Sequence, residues 1–217
     1  PNAAFCEIVI RADGVAGSQG VFTSISVREI PGNHLIQPTA TSRPTLSSRY
    51  NLLTKTEAFD DVYWAKGSAS VTANSATAPD GTNTADSLVE AAATAATYIG
   101  RIAAGLPVTA DTFVFSLYVK ANGRNQVGLS LYGGGVDKYI TAVYDLSAGT
   151  VSKTQAGSSG TITSTSITAS GSGWYRIVMS GNTAAPAQIQ AYVYPTNSTT
   201  PTIDSYGTPA TYAGDGT

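Results

Sequence analysis

Charge is what this chain has least of. Only 12% of its 217 residues are Asp, Glu, Lys or Arg, about half the ~25% usual in soluble domains. The formal net charge is −2 and the pI is near 5.3. No basic block occurs, which argues against nucleic acid as a partner. The single cysteine, Cys6, excludes a disulfide within the chain. It lies in the strand-like run AFCEIVI and reads as a buried, inert thiol. The single histidine, His34, sits in a proline-flanked stretch. A Ser-His-Asp system needs a histidine base placed beside its serine, and no serine here has a strand–elbow–helix context. One His and one Cys are too few for a zinc site. No apolar run approaches the ~20 residues of a membrane-spanning helix, and no secretory leader opens the chain. The chain begins at Pro1 rather than Met and is expected to continue upstream. Helix signals are nearly missing too. The Ala-rich stretch 85–105 does not hold a 3.6-residue period, and it reads as a strand at 86–90, an exposed Ala/Thr stretch and a strand at 98–102, with a short helix there as the alternative.

What the chain does have is apolar alternation with a period of two, set in a background of Gly, Ala, Ser and Thr. Hydrophobic residues make up 42% of it, enough for a real core. TFVFSLYVK (112–120) puts Phe113, Phe115, Leu117 and Val119 on one face and Val114, Ser116, Tyr118 and Lys120 on the other. NQVGLSLYG sets Val127, Leu129 and Leu131 against Gly128, Ser130 and Tyr132. GWYRIVMSG sets Tyr175, Ile177 and Met179 against Trp174, Arg176 and Val178. QIQAYVYP sets Ile189, Ala191 and Val193 against Gln188, Gln190, Tyr192 and Tyr194. KYITAVYDL (138–146) is apolar on both faces. Gly-rich turns separate these runs. Short alternating strands with such turns predict an all-β fold, a jelly-roll β-sandwich over 51–217. FCEIVIRADG and GVFTSISVREI predict a β-hairpin in 1–30, and Pro31, Pro38 and Pro44 mark an extended linker over 31–50.

The few acids raise the question of a site. Asp80, Asp86 and Glu90 crowd around a Pro-Asp-Gly sequence in TAPDGTNTADSLVE. Asp80-Gly81 reads as a turn, with Asp86 and Glu90 exposed to solvent. A calcium site built from Asp80, loop carbonyls and Asp215 is the second reading. A glycosidase needs two carboxyls facing each other across a sugar. Nothing in the spacing of Asp60, Asp61, Asp80, Asp86, Glu90, Asp111, Asp137, Asp145 and Asp204 pairs any two of them. Gly133-Gly134-Gly135 is followed by neither a GK[ST] motif nor a helix, so it is no phosphate loop. The sequon Asn197-Ser198-Thr199 reads as a polar loop. No catalytic and no metal residue is assigned.

A resemblance now adds to these readings. Asn51-Leu52-Leu53, Glu57-Ala58-Phe59, Trp64 and the Ala78–Thr82 turn, followed by FSLYVKANG, YDLSAGTV and GSGWYRIVMSG, occur in an order and spacing that resembles a jelly-roll module of phage tail-fibre and virion-appendage proteins. It covers roughly residues 43–195. GVFTSISVREIPGNH resembles the closing strand of that module and the linker after it. Residues 1–30 are therefore either the tail of a preceding repeat, the preferred origin, or the strand that completes the 51–217 sandwich in cis or in trans.

The resemblance implies a non-enzymatic bacteriophage virion component (fibre, spike or capsid decoration) on the particle surface that adheres to bacterial surface polysaccharide. The alternative is a purely structural part that joins or decorates the particle without binding glycan. Other virion proteins are the implied partners, in a homo-oligomer that is a trimer where the appendage is a fibre, with no nucleic acid or membrane bound. No cofactor is expected beyond the structural calcium carried by relatives of the family. Sugar binding favours aromatic rings with a polar end, and the chain has 12 Tyr against 5 Phe. The candidate ligand residues are Tyr118, Lys120, Tyr132, Gln190, Tyr192 and Tyr194, which converge if their strands share one sheet. Trp64 and Trp174 are expected in the core.

Overall fold

The computed structural model describes residues 51–103, 112–184 and 188–217. The hairpin, the linker, Cys6, His34 and Asp111 lie outside the described residues, and so do both proposed origins of 1–30.

The described residues form thirteen strands and no helix, numbered in chain order. Six make the larger sheet, in the order β1 (Ala65–Gly67), β5 (Tyr98–Ala103), β12 (Ile189–Thr196), β7 (Gln126–Tyr132), β8 (Tyr139–Asp145) and β9 (Thr150–Ala156). Three make the smaller sheet, β10 (Thr161–Gly171), β11 (Trp174–Asn182) and β6 (Phe113–Lys120). Two ribbons complete the fold: β2 (Ala69–Ala76) with β3 (Ala85–Glu90), and β4 (Thr94–Ala95) with β13 (Tyr212–Ala213). Every pairing is antiparallel. The all-β sandwich expected from the alternation is what the chain builds.

The alternation decides which side chains meet between the sheets. Ile177 and Met179 of β11 and Phe115 of β6 face Leu129 and Leu131 of β7, Ile140 and Ala142 of β8, and Ile189, Ala191 and Val193 of β12 in one buried cluster. Each large apolar side chain withdrawn from water there contributes about 1.5–3 kcal/mol. Tyr144 stands in the same cluster, and its hydroxyl donates to the Val178 carbonyl 2.7 Å away on the opposite sheet. Burial pushes that phenol's pKa up, so it stays a neutral donor that joins the two layers. Trp64 joins the core with 3% of its surface exposed, and its indole donates to the Lys55 carbonyl.

β8 is buried from Tyr139 to Tyr144 on both faces, as its continuous apolar run requires. One face meets the smaller sheet. The other meets a loop, 201–209, that folds back over β7 and β8. Asp204 closes this loop on itself by accepting from the Tyr206 and Thr208 amides. The Thr141 hydroxyl donates to the Gly207 carbonyl at 2.7 Å, and the Lys153 ammonium donates to the Pro201 carbonyl. Gly207 sits at φ +83°, and a Cβ there would lie 2.8 Å from Ser130 Oγ and from the Tyr139 ring. Only glycine satisfies both the positive φ and that approach.

Candidate ligand-binding face

The larger sheet keeps part of its outer face open. Register places Tyr132 of β7 opposite Gln190 of β12, and Tyr192 opposite Ser130 and Gly100. Tyr132 and Tyr192 are therefore diagonal neighbours on one face, within reach of each other's rings. Tyr98 of β5 packs edge-on against Tyr192, with ring centroids 5.4 Å apart. Tyr206, from the covering loop, packs edge-on against Tyr132 at 5.7 Å. The Tyr192 hydroxyl donates to the Gln190 side-chain carbonyl, which fixes the amide beneath the rings. Burial, with Tyr98, Tyr132 and Asp204 as neighbours, raises the Tyr192 pKa, so this hydroxyl stays a neutral donor.

Glycine makes room for these rings. Gly67 stands directly across from Tyr98, Gly100 from Tyr192 and Gly128 from Tyr194. A Cβ on any of the three would come within 2.0–2.4 Å of its partner's ring carbons. Each ring thus fills the side-chain space that a glycine leaves empty, the cross-strand pairing that rescues glycine in a sheet.

The candidate residues divide. Tyr132, Gln190 and Tyr192 come together as expected, although Gln190 is 9% exposed and lies below the rings. Tyr194 is on the same face but has no exposed surface, because the 201–209 loop lies over its end of the sheet. Its hydroxyl makes no hydrogen bond; the neighbouring Thr141 hydroxyl is engaged with Gly207 and Ser130. Tyr118 and Lys120 lie elsewhere, on the exposed face of the smaller sheet. The six do not converge, because β6 pairs with β11 rather than with β7 or β12. Tyr98 and Tyr206 take their places. Tyr98 was legible as the strand residue beside Gly100; Tyr206, in a loop, carries no periodic signal.

Trp174 departs from its expected core position. It shares the outer face of the smaller sheet with its register partner Lys120, is half-buried, and donates from Nε1 to the Thr77 carbonyl at 3.1 Å.

Most of the described acids are spent on backbone. Asp61, Asp80, Asp145, Asp204 and Asp215 each accept the amide two residues onward, at Tyr63, Thr82, Ser147, Tyr206 and Thr217, which is the Asx-turn habit of aspartate. The Thr82 hydroxyl and amide hold the Asp80 carboxyl below its ordinary pKa, and the expected turn is there. Asp86 accepts from the Phe59 and Asn74 amides, bracing the irregular pairing of β2 with β3.

Glu90 corrects the expectation of solvent exposure: its side chain is fully buried. It accepts from the Arg124 guanidinium, the Tyr212 hydroxyl and the Asp215 amide. Burial alone would raise its pKa, but these three bonds and the Arg124 charge outweigh that and hold it below the ordinary value. Arg124 also reaches the Asp215 carboxylate at 2.9 Å. Among the described residues no three His, Cys, Asp or Glu side chains come together as a metal-binding group. Gly133–Gly135 belongs to the turn between β7 and β8, closed by the Gly133 amide on the Lys138 carbonyl. Asn197 of the sequon is exposed in the loop after β12.

No family model matches the chain, and no curated protein matches it.

Proposed function

We propose that the 51–217 module is a jelly-roll, non-enzymatic adhesion domain of a bacteriophage virion appendage, and that it binds bacterial surface glycans through the tyrosine patch on its larger sheet. The observation that carries this reading is the cluster of Tyr98, Tyr132, Tyr192 and Tyr206 on one face of the larger sheet and its covering loop. The C–H face of a pyranose stacks on such rings. Tyrosine loses little rotamer entropy on doing so and offers a hydroxyl to the sugar's own hydroxyls. The order of the Asn-Leu-Leu, Ala-Pro-Asp-Gly-Thr and Gly-Trp-Tyr motifs supplies the phage setting by resemblance. The commitment of Asp61, Asp80, Asp145 and Asp204 to turns and of Glu90 to Arg124 supports a binding role over a hydrolytic one. Single-site affinity for such a shallow surface is expected to be weak, and many copies on one particle raise it.

The test is a screen of bacterial surface polysaccharides with the full chain, alongside its Tyr132→Ala, Tyr192→Ala and Tyr206→Ala variants. A signal that falls roughly tenfold or more in each variant, with melting unchanged, supports adhesion. A folded chain that binds none of the polysaccharides points instead to the structural role in the particle.

A further inference from the structure

The opposite side of the sandwich carries a second concavity. The loop 77–81 and the tight turn between β10 and β11 enclose a cleft of about 290 Å³ beside the end of β6. Trp174 and Lys120 line it together with Thr77, Pro79, Ser170 and Ser172. Trp174 and Lys120 are direct partners across β11 and β6, so an indole ring and an ammonium stand side by side on one face. The bond from the indole to the Thr77 carbonyl fixes the ring against the loop.

The chemistry of the lining is one-sided. Lys120 is exposed and forms no ion pair among the described residues. Asp80 belongs to the same loop, but its Oδ1 faces Thr82, taking the amide at 2.9 Å and the hydroxyl at 2.7 Å. The cleft therefore offers a flat apolar ring, hydroxyls and one cation that is in no ion pair among the described residues.

We infer that this cleft is a binding site for a carboxylate-bearing pyranose, a uronic acid residue of a glycan. Its ring stacks on Trp174 and its carboxylate is taken by Lys120. A charge-assisted hydrogen bond is about twice as strong as a neutral one, so Lys120 sets a preference for the acidic sugar over its neutral counterpart. Ser170 and Ser172 are placed to meet ring hydroxyls. The site lies on the smaller sheet and does not depend on the tyrosine patch of the larger one.

Tryptophan fluorescence reads this site directly. The chain has two tryptophans, and Trp64 is sealed in the core, so a ligand-induced change reports on Trp174. The full chain is titrated with a glucuronate-containing oligosaccharide and with the matching glucose oligosaccharide. Saturable quenching by the acidic sugar is expected, roughly tenfold weaker with the neutral one and in Lys120→Gln. Tyr132→Ala and Tyr192→Ala are expected to leave it unchanged, which separates failure of this site from failure of the patch. Trp174→Phe keeps a ring in place; there binding is followed by amide chemical shifts of Ser170 and Ser172. No saturable change with either sugar overturns the proposal, as does equal affinity for both, or quenching that survives Lys120→Gln.

Discussion

The two outer faces of this sandwich are built from the same kind of sequence and end up unlike each other. β6 and β12 both alternate apolar and polar residues. The outward residues of β6, Val114 and Tyr118, remain 67% and 49% exposed, whereas outward Tyr194 of β12 has no exposed surface at all. The difference is not in the strands. A loop 201–209 returns over the larger sheet, and no described segment does the same over the middle of the smaller one. Alternation determines which side of a strand a residue takes; what covers that side is decided by chain outside the strand, here the loop that follows β12. The larger sheet consequently bears a half-roofed tyrosine patch. The smaller bears hydroxyls, the exposed pair Tyr118 and Arg176, and Trp174 with Lys120 at one end.

Removing Tyr194 is the most forceful way to break this contrast. Tyr194→Ala empties a fully buried ring-sized space between Gly128 and the loop and is expected to cost about 3–5 kcal/mol, measured by denaturant unfolding. Tyr118→Ala on the open face should stay within about 0.5 kcal/mol. If the two cost the same, the loop is not seated as described.

Glu90→Gln tests the latch that holds the residues after β13. It removes a charge-assisted partner of Arg124, leaves Asp215 as the remaining carboxylate beside it, and is expected to cost about 1–3 kcal/mol. Its pH dependence sharpens the point. The carboxyl's pKa is lowered in the folded protein, so its contribution is present above the unfolded value of ~4.3 and is lost as pH falls through the lower, folded value. Wild-type stability should drop on acidification below about pH 4, and the variant should lose part of that slope.

Gly128→Ala and Gly100→Ala make a matched pair. Both add a methyl where a tyrosine ring lies. Tyr194 cannot move away, so Gly128→Ala is expected to cost about 1–3 kcal/mol. Tyr192 is half-buried and can swing outward, so Gly100→Ala should cost less while weakening glycan binding through the displaced ring. A small effect of opposite sign is that of Tyr194→Phe. Its hydroxyl is buried without a partner, so deleting it should be neutral or stabilise by up to about 1 kcal/mol.

Much of the sandwich could be read from residue order. The inward sets Val127/Leu129/Leu131, Ile177/Met179 and Ile189/Ala191/Val193 follow from a period of two, and the doubly apolar KYITAVYDL foretold a strand covered on both sides. β10 gave no such signal. Ser and Thr occupy both its faces, and an irregularity between Ile162 and Ser164 breaks the period. Which strands share a sheet depends on pairings between distant segments, so the separation of Tyr118 and Lys120 from Tyr132 was beyond local reading. Glu90 was hidden for the same reason: its partners, Arg124, Tyr212 and Asp215, lie far along the chain. The aspartate turns were the opposite case, since an acid two residues ahead of Thr, Ser or Tyr is a local cue.

The loop that roofs the larger sheet is fastened internally by Asp204 and touches down at Pro201, Ser205 and Gly207, while the rings beneath it are fixed by the strands. Floor and lip are thus separable parts. The lip contributes Tyr206 and sets how deep the patch is, so exchanging 201–209 for another closed loop of similar span would retune which sugars fit while leaving the sandwich core intact.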